Sequence, residues 1–342
     1  MVGTTKVRAK IADVARHARV GAGTVSRVLN GAKNVSRHTR ARVLASIDEL
    51  EYVPNLVARG LAANRTGIIA AVVPALGYSQ HAEVIQGITE FLHEHGITLM
   101  IGHSGYDLEV EREIISAFLA RRPDAFYITG VDHSEATRRI LRDSGVPVVE
   151  GGNLTDTPID CVVGYSNFEA GRQLTHLLHE RGHRHIVHVN NGSEVNDRNR
   201  DRQRGYEAAC AELKIAKKKR VITGTNTLDG GAQAVAEMLA LGRPVDALQC
   251  GTDVLAVGAI LECQRRDIAV PGQLAITGFD DLPIASAIVP SLTTVKIDRI
   301  SLGRRAGRVL LQRLSGEMVP SKVVDVGFQI VERASTKPRA GR

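Results

Sequence analysis

From Gly67 onward the sequence alternates two textures, and that alternation restricts the fold more than any other feature. Short apolar runs, namely GIIAAVVP, ITLMIGH, DAFYITG, VPVVEGG, CVVG, RHIVHVN, DALQCG and LAITGFDD, are mostly followed by an amphipathic stretch of helical period. Apolar runs of that length, separated by helical patterns, read as strands buried on both faces, the mark of parallel sheets covered by helices. More than eight strands are expected, too many for one open sheet in 342 residues, so the α/β body should divide into two lobes. The chain is expected to cross between them near Tyr165, Lys296 and Asp325, giving a first lobe of about 67–165 and 297–324 and a second of about 166–296 and 325–335.

The front of the chain differs in both charge and pattern. Residues 1–65 hold 12 Lys/Arg against 4 Asp/Glu, whereas the remainder holds 32 against 33, so the excess positive charge of a chain with net charge +7 is concentrated there. A basic module on a near-neutral body suits the phosphate backbone, because each cation set against a phosphate releases condensed counterions. The segment VRAKIADVARHARV places Ile11, Val14, Ala15 and Ala18 on one helical face, and Val20 with Gly21 marks a break before GTVSRVLNG. A third helical segment opens at Ser36 as N-cap and places Val43, Leu44, Ile47 and Leu50 at helical spacing. Helix, tight turn, helix and supporting helix are the parts of a helix-turn-helix, with Ala15 and Val25 as packing contacts and Ala22, Gly23, Thr24, Ser26 and Arg27 at the groove-facing start of the second helix. Pro54 then opens PNLVARGLAANRT, a helix weakened by Gly60 and Asn64 and expected to order only in a complex. The expected domains are therefore 1–53, a hinge over 54–66, and a body over 67–342.

The span IADVARHARVGAGTVSRVLNG, followed by VSRHTRARVLASIDELEYVPNLVARGLA, resembles the DNA-binding head of the lactose-repressor family of transcription regulators almost position for position. The resemblance implies that Ala22 and Gly23 occupy the pair of positions that discriminates operators. It further implies that Thr24, Ser26, Arg27 and Asn30 touch phosphates or bases, that Asn55 and Ala58 lie on the hinge, and that Leu61 wedges into the minor groove. Residues 67–335 resemble the periplasmic-binding-protein-like core of the same family. Within it, AEVIQGI, CVVGYSNFEAGRQ, RGHRHI and LAVGAILECQRRDIAVP are most similar to gluconate repressors. The implied partners are operator double-stranded DNA, a second copy of the chain, and a sugar-acid effector of the gluconate or ketogluconate type. A neutral sugar or another small polar ligand stays open, as does the sign of the response. One helix-turn-helix makes too few contacts for operator specificity, so a symmetric dimer is expected. The tail QIVERASTKPRAGR carries no apolar heptad and gives no reason to expect a tetramer.

Ligands of open α/β folds bind in the crevice at the carboxyl ends of the strands. By position the effector candidates are Gln80, His81, His103, Ser104, Thr129, Glu150, Arg198, Arg202, Asn226, Thr252 and Asp280. The resemblance assigns Asp280 and Glu150 to acidic ligand positions, puts Thr252 where an asparagine is usual, and puts Asn226 where many members carry a stacking aromatic ring. NDRNRDRQRGY places four arginines at the start of a helix, where a carboxylate gains both bidentate guanidinium contact and the helix N-terminus. Arg198 is preferred over Arg202 for that role, and Arg200 and Arg204 are assigned to solvent.

Other classes fit poorly. GAGTVS lies inside a helical pattern with no preceding strand, which fails the structural condition for a dinucleotide fingerprint, and neither a Walker lysine motif nor a G-x-S-x-G elbow is present. His183 and His185 are expected to share a strand face that His188 does not, so no metal, cofactor or catalytic residue is expected. Cys161, Cys210, Cys250 and Cys263 form no C-x-x-C pair and read as reduced thiols. No apolar run approaches the roughly 20 residues that span a bilayer. The basic start MVGTTKVRAK leads into an amphipathic segment instead of a signal-peptide core, so a cytoplasmic protein is expected. The same two features argue against a sugar-binding protein without regulatory output.

Overall fold

The computed structural model describes residues 9–29, 32, 34–52, 65–77, 79–192, 196–215 and 221–336. The chain divides into two compact units, Met1–Thr66 and Gly67–Arg342.

In the first unit, α1 (Ile11–His17), α2 (Ala22–Leu29) and α3 (Arg37–Glu49) enclose a small core of Val14, Ala15, Ala18, Val25, Val28 and Val43. Both outer helices begin as their sequences direct. Asp13 reaches back to accept from the Lys10 backbone N–H at 2.8 Å, and the Ser36 hydroxyl accepts from Thr39 N–H at 3.2 Å. One expectation needs correction: Leu44 is 47% exposed, and Ser46 is buried on that turn beside Val43. Ser46 tolerates burial because its hydroxyl donates to Arg42 O at 2.9 Å and lies 3.0 Å from His17 Nδ1, tying α3 to α1.

The second unit contains a parallel sheet of order β11-β5-β4-β3-β1-β2, built from β1 (Ile68–Val73), β2 (Thr98–His103), β3 (Ala125–Thr129), β4 (Val148–Gly151), β5 (Cys161–Gly164) and β11 (Val323–Asp325). Along β1, Ile69, Ala71 and Val73 enter one core while Ala70 and Val72 enter another. That two-sided burial is why the strand reads as an unbroken apolar run. Helices α4 (Ser79–His93), α5 (Leu108–Leu119) and α6 (Glu135–Ser144) lie between these strands in sequence. Helix α12 (Arg299–Ser315) returns late in the chain to pack on α4, where Gly303 leaves room for the Val84 carbonyl.

The chain leaves this lobe after β5 through Tyr165 and forms a second parallel sheet of order β7-β6-β8-β9, from β6 (Ile186–Asn190), β7 (Val221–Thr223), β8 (Ala247–Cys250) and β9 (Ala275–Thr277). Helices α7 (Asn167–Glu180), α8 (Asp197–Glu212), α9 (Leu228–Ala240), α10 (Asp253–Arg265) and the short α11 (Pro283–Ala287) complete this lobe. A separate antiparallel pair joins β10 (Thr294–Lys296) to β12 (Gln329–Val331). The three-residue strands β7, β10, β11 and β12 were not expected, being too short to show a period, whereas β9, of the same length, was marked by the apolar run LAITGF. All four cysteines are buried free thiols, and burial pushes the Cys250 thiol above the ordinary range. His183 and His185 precede β6, which begins at Ile186, so the expected shared strand face does not exist.

Candidate functional site

The start of α2 is uncovered in the first unit. Ala22, Gly23 and Arg27 are exposed, Thr24 and Ser26 half-buried, while Val25 and Val28 hold the opposite face in the core. A side chain at Gly23 would meet nothing within 4 Å, so the fold does not require glycine there. Arg27 folds back along its own helix, donating to Gly23 O at 3.3 Å and to the Thr24 hydroxyl at 3.2 Å, and is free to swing outward at the cost of two exposed bonds. Asn30, Asn55, Ala58 and Leu61 lie outside the described residues.

In the second unit a cleft lies at the carboxyl ends of the strands of both parallel sheets. It is lined by Gln80 and His81 at the start of α4, Thr129 at the end of β3, Gly152 after β4, and Arg198 and Arg202 on α8. Thr252 after β8, Asp280 after β9 and Arg299 at the start of α12 complete that part of the lining. The enclosed space is about 50 Å³, room for a few waters and too little for a six-carbon molecule, so a ligand enters only if the walls part.

Helix geometry explains which arginines face inward. Arg198 and Arg202 are four residues apart and share one face of α8; Arg200 and Arg204 occupy another, paired with Asp132 and with Asp201. Two glycines fix the height of that face. A β-carbon at Gly171 would fall 2.2 Å from the Arg202 carbonyl oxygen, and one at Gly205 would fall 1.9 Å from that of Phe168, so α7 and α8 touch backbone to backbone.

The guanidinium groups in the cleft are not equivalent. Arg198 donates from Nη1 to Asp197 Oδ1 at 2.8 Å, and Arg299 contacts Asp280 Oδ1 at 3.0 Å and Glu83 Oε2 at 3.2 Å. Arg202, 6% exposed, donates to Asn167 Oδ1 at 2.9 Å and to the Gly251 carbonyl at 2.6 Å, and its guanidinium carbon lies 3.5 Å from the centre of the Phe279 ring. Among the described residues it forms no ion pair. The three arginines also act on His81, whose pKa falls to about 3, first through burial and then through the charges of Arg198, Arg299 and Arg202. Burial pushes the Asp280 carboxyl upward, against the pull of Arg299 and Arg202. Asp280 also sits at φ 122°, a strained backbone for a non-glycine residue, held by its N–H to Val295 O at 2.9 Å and by Arg299 on its own carbonyl at 2.5 Å.

Several predicted effector residues lie elsewhere. Glu150 is fully buried, next along β4 from Val149, whose side chain joins the core on the other face. Its Oε2 accepts from Ile159 N–H at 2.5 Å, and its Oε1 stands 3.5 Å from His133 Nε2 and 3.6 Å from Arg138 Nη1. Strand alternation turns it away from the cleft, so its expected effector contact is corrected. His103 is exposed on edge strand β2, and Ser104 is buried, its N–H donating to Val73 O at 3.0 Å; neither lines the cleft. Asn226 stands behind the lining, its Oδ1 accepting from the Thr252 hydroxyl at 2.6 Å. Sequence reasoning missed Tyr106, Tyr127, Tyr165, Asn191, Asn196, Asn199 and Arg299. Asn191 and Asn196, just beyond β6, could have been found by the strand-end rule; Arg299 could not, because the fold brings it from a distant helix.

Residues 10–55 match the family model "Bacterial regulatory proteins, lacI family", and residues 175–336 match "Periplasmic binding protein-like domain". The chain is 33% identical over 325 residues to "HTH-type transcriptional regulator GntR" of Escherichia coli strain K12, covering 95% of this chain and 98% of that protein. Among solved structures it is similar to a LacI-family transcriptional regulator from Silicibacter pomeroyi, with 30% identity, TM-score 0.88, and 96% and 99% of the two chains covered. It is also similar to the lac repressor dimer bound to operator and the anti-inducer ONPF, with 25% identity, TM-score 0.87, and 96% and 99% covered.

Proposed function

The chain belongs to the lacI family of bacterial regulatory proteins, DNA-binding transcription regulators, and from that premise we propose a dimeric repressor released from its operator by a sugar acid of the gluconate or ketogluconate type. The observation that carries the effector class is Arg202. A buried guanidinium that faces a cleft without a carboxylate partner among the described residues is costly unless an anion completes it. A ligand carboxylate supplies that charge in the geometry that guanidinium prefers. The remaining lining is suited to a polyol: Gln80, Thr129, Asn191, Asn196 and Asn199 offer amide and hydroxyl groups, and Asp280 accepts from ligand hydroxyls. This reading reverses the order suggested by chain position, since Arg198 already has Asp197 as its counter-charge.

On the DNA side, Thr24, Ser26 and Arg27 approach phosphates or bases from the start of α2, with Ala22 and Gly23 allowing close approach of the groove. Asn30, Asn55, Ala58 and Leu61 are proposed contacts on the strength of the sequence alone. Operator and effector favour different lobe arrangements, so each weakens the other's binding by the same factor.

The test is a calorimetric titration of the full chain with D-gluconate, 5-keto-D-gluconate and glucose, with DNA retardation in parallel. Binding of an acid at least about tenfold tighter than glucose, about 1.4 kcal/mol, supports the reading. Tighter binding of glucose overturns the sugar-acid assignment and leaves the DNA-binding role standing.

A further inference from the structure

The two lobes are joined across the cleft by side chains that the effector site does not use. Asn153, on the loop after β4 in the first lobe, donates from Nδ2 to Asp197 Oδ2 at 3.3 Å and to Asp201 Oδ2 at 2.8 Å, two carboxylates one turn apart at the start of α8. Asp197 Oδ2 also accepts from the Val131 backbone N–H at 3.0 Å, at the end of β3. On its other side Asn153 Oδ1 accepts from Asn167 Nδ2 at 3.1 Å, and Asn167 Oδ1 accepts from Arg202 Nε at 2.9 Å. Asn153, Asn167, Asp197 and Arg202 are all more than nine-tenths buried.

The chemistry fixes the direction of this chain. A guanidinium can only donate and an ionised carboxylate can only accept, so the two amides between them have one orientation each: carbonyl toward Arg202, amino group toward the aspartates. The path from the cleft arginine to the interlobe contact is therefore continuous, buried for most of its length and polarised. Each bond in it strengthens when its neighbours do. The Asn153 backbone has little freedom to compensate, because its carbonyl oxygen lies where a β-carbon on Gly164 would stand, 2.1 Å away.

We infer that Asn153 is the positioning residue that couples occupancy at Arg202 to closure of the two lobes. An anion on the outer guanidinium nitrogens draws Arg202 toward the cleft, and Asn167 transmits the change to Asn153 and so to both aspartates. The identity of that anion rests on the function proposed above, but the clamp is complete without a ligand, so the two claims fail separately.

The test uses the full-length dimer, labelled with nitroxides through Arg139→Cys in the first lobe and Glu237→Cys in the second, both exposed positions. Electron-spin distance measurements should give one narrow intramolecular population in the parent. Asn153→Ala, which keeps Arg202 intact, should add a longer population. Asn153→Asp should open the cleft further near pH 7.5 and less near pH 5, where a carboxyl wedged between two others is protonated and can donate again. That pH-dependent recovery is not expected of a side chain that merely fills space. Asp201→Asn, at a half-buried position, should widen the distribution more modestly and serves if the Asn153 variants fold poorly. Because the walls must part to admit it, D-gluconate should shift the parent distribution to longer distances and move the Asn153→Ala distribution less than half as far. Unchanged distances in folded Asn153→Ala and Asp201→Asn proteins would overturn the clamp. Distances that shift in the variants while D-gluconate moves nothing in the parent would uphold the clamp and overturn the proposed effector.

Discussion

In the head, Ala22, Gly23 and Arg27 stand exposed on a helix whose other face is Val25 and Val28; in the body, Arg202, Asp280 and Arg299 are buried in a cleft assembled from many separate stretches of chain. The head presents chemistry outward to a partner much larger than itself, and its core has only to hold one helix in place. The body must surround a small molecule, so its recognising groups are desolvated and their charges strongly coupled. Loss of a core residue should therefore silence the head outright, whereas the cleft should lose function in graded steps.

The largest expected effect breaks one region and spares the other. Val25→Asp buries a charge with no partner in a core of six residues, a cost of several kcal/mol that so small a unit cannot absorb. DNA retardation should disappear while D-gluconate affinity by calorimetry stays within about twofold. Loss of both would mean that the two units do not fold independently.

Next in size is Arg202→Ala, for which D-gluconate affinity should fall about 30- to 200-fold, corresponding to about 2–3 kcal/mol for a charge-assisted bond. Operator binding in retardation assays should persist and resist release by the acid. A loss below about threefold would return the carboxylate to Arg198.

A smaller effect is expected from pH. The His81 pKa is about 3 in the fold against an ordinary value near 6.5, so the unfolded chain binds the proton more readily. Its contribution to stability is fully present above about pH 6.5 and drains away as pH falls toward 3. Chemical denaturation between about pH 7 and 5 should show the parent losing more stability than His81→Gln, and parallel curves would remove the claim.

The smallest change is predicted for Arg204→Ala. This side chain is 63% exposed and, among the described residues, is paired with Asp201 on its own helix, so effector affinity should stay within about twofold by titration.

These differences also explain what could be read in advance. Periods of helix and strand announced the head and both sheets, because apolar side chains must meet a core at the repeat of the backbone. The pair Arg198 and Arg202 was legible for the same reason, as two residues one helical turn apart. Leu44 and Glu150 were misplaced because which of two nearby positions faces a core depends on what packs there. For Leu44 it is the His17–Ser46 contact, and for Glu150 it is the pairing of β4 with its neighbours.

The order of residues along the chain thus determined the basic head, the doubly covered parallel sheets and the set of strand ends at which a ligand could bind. Only the tertiary structure decided which cleft guanidinium has no ion pair among the described residues, that Arg299 joins the cleft, and that Asn153 meets Asp197 and Asp201 across it. Local periodicity is a property of neighbours in sequence, whereas charge balance in a buried cleft depends on groups far apart in the chain, such as Asp280 and Arg202. No pattern within one helix or strand encodes that sum.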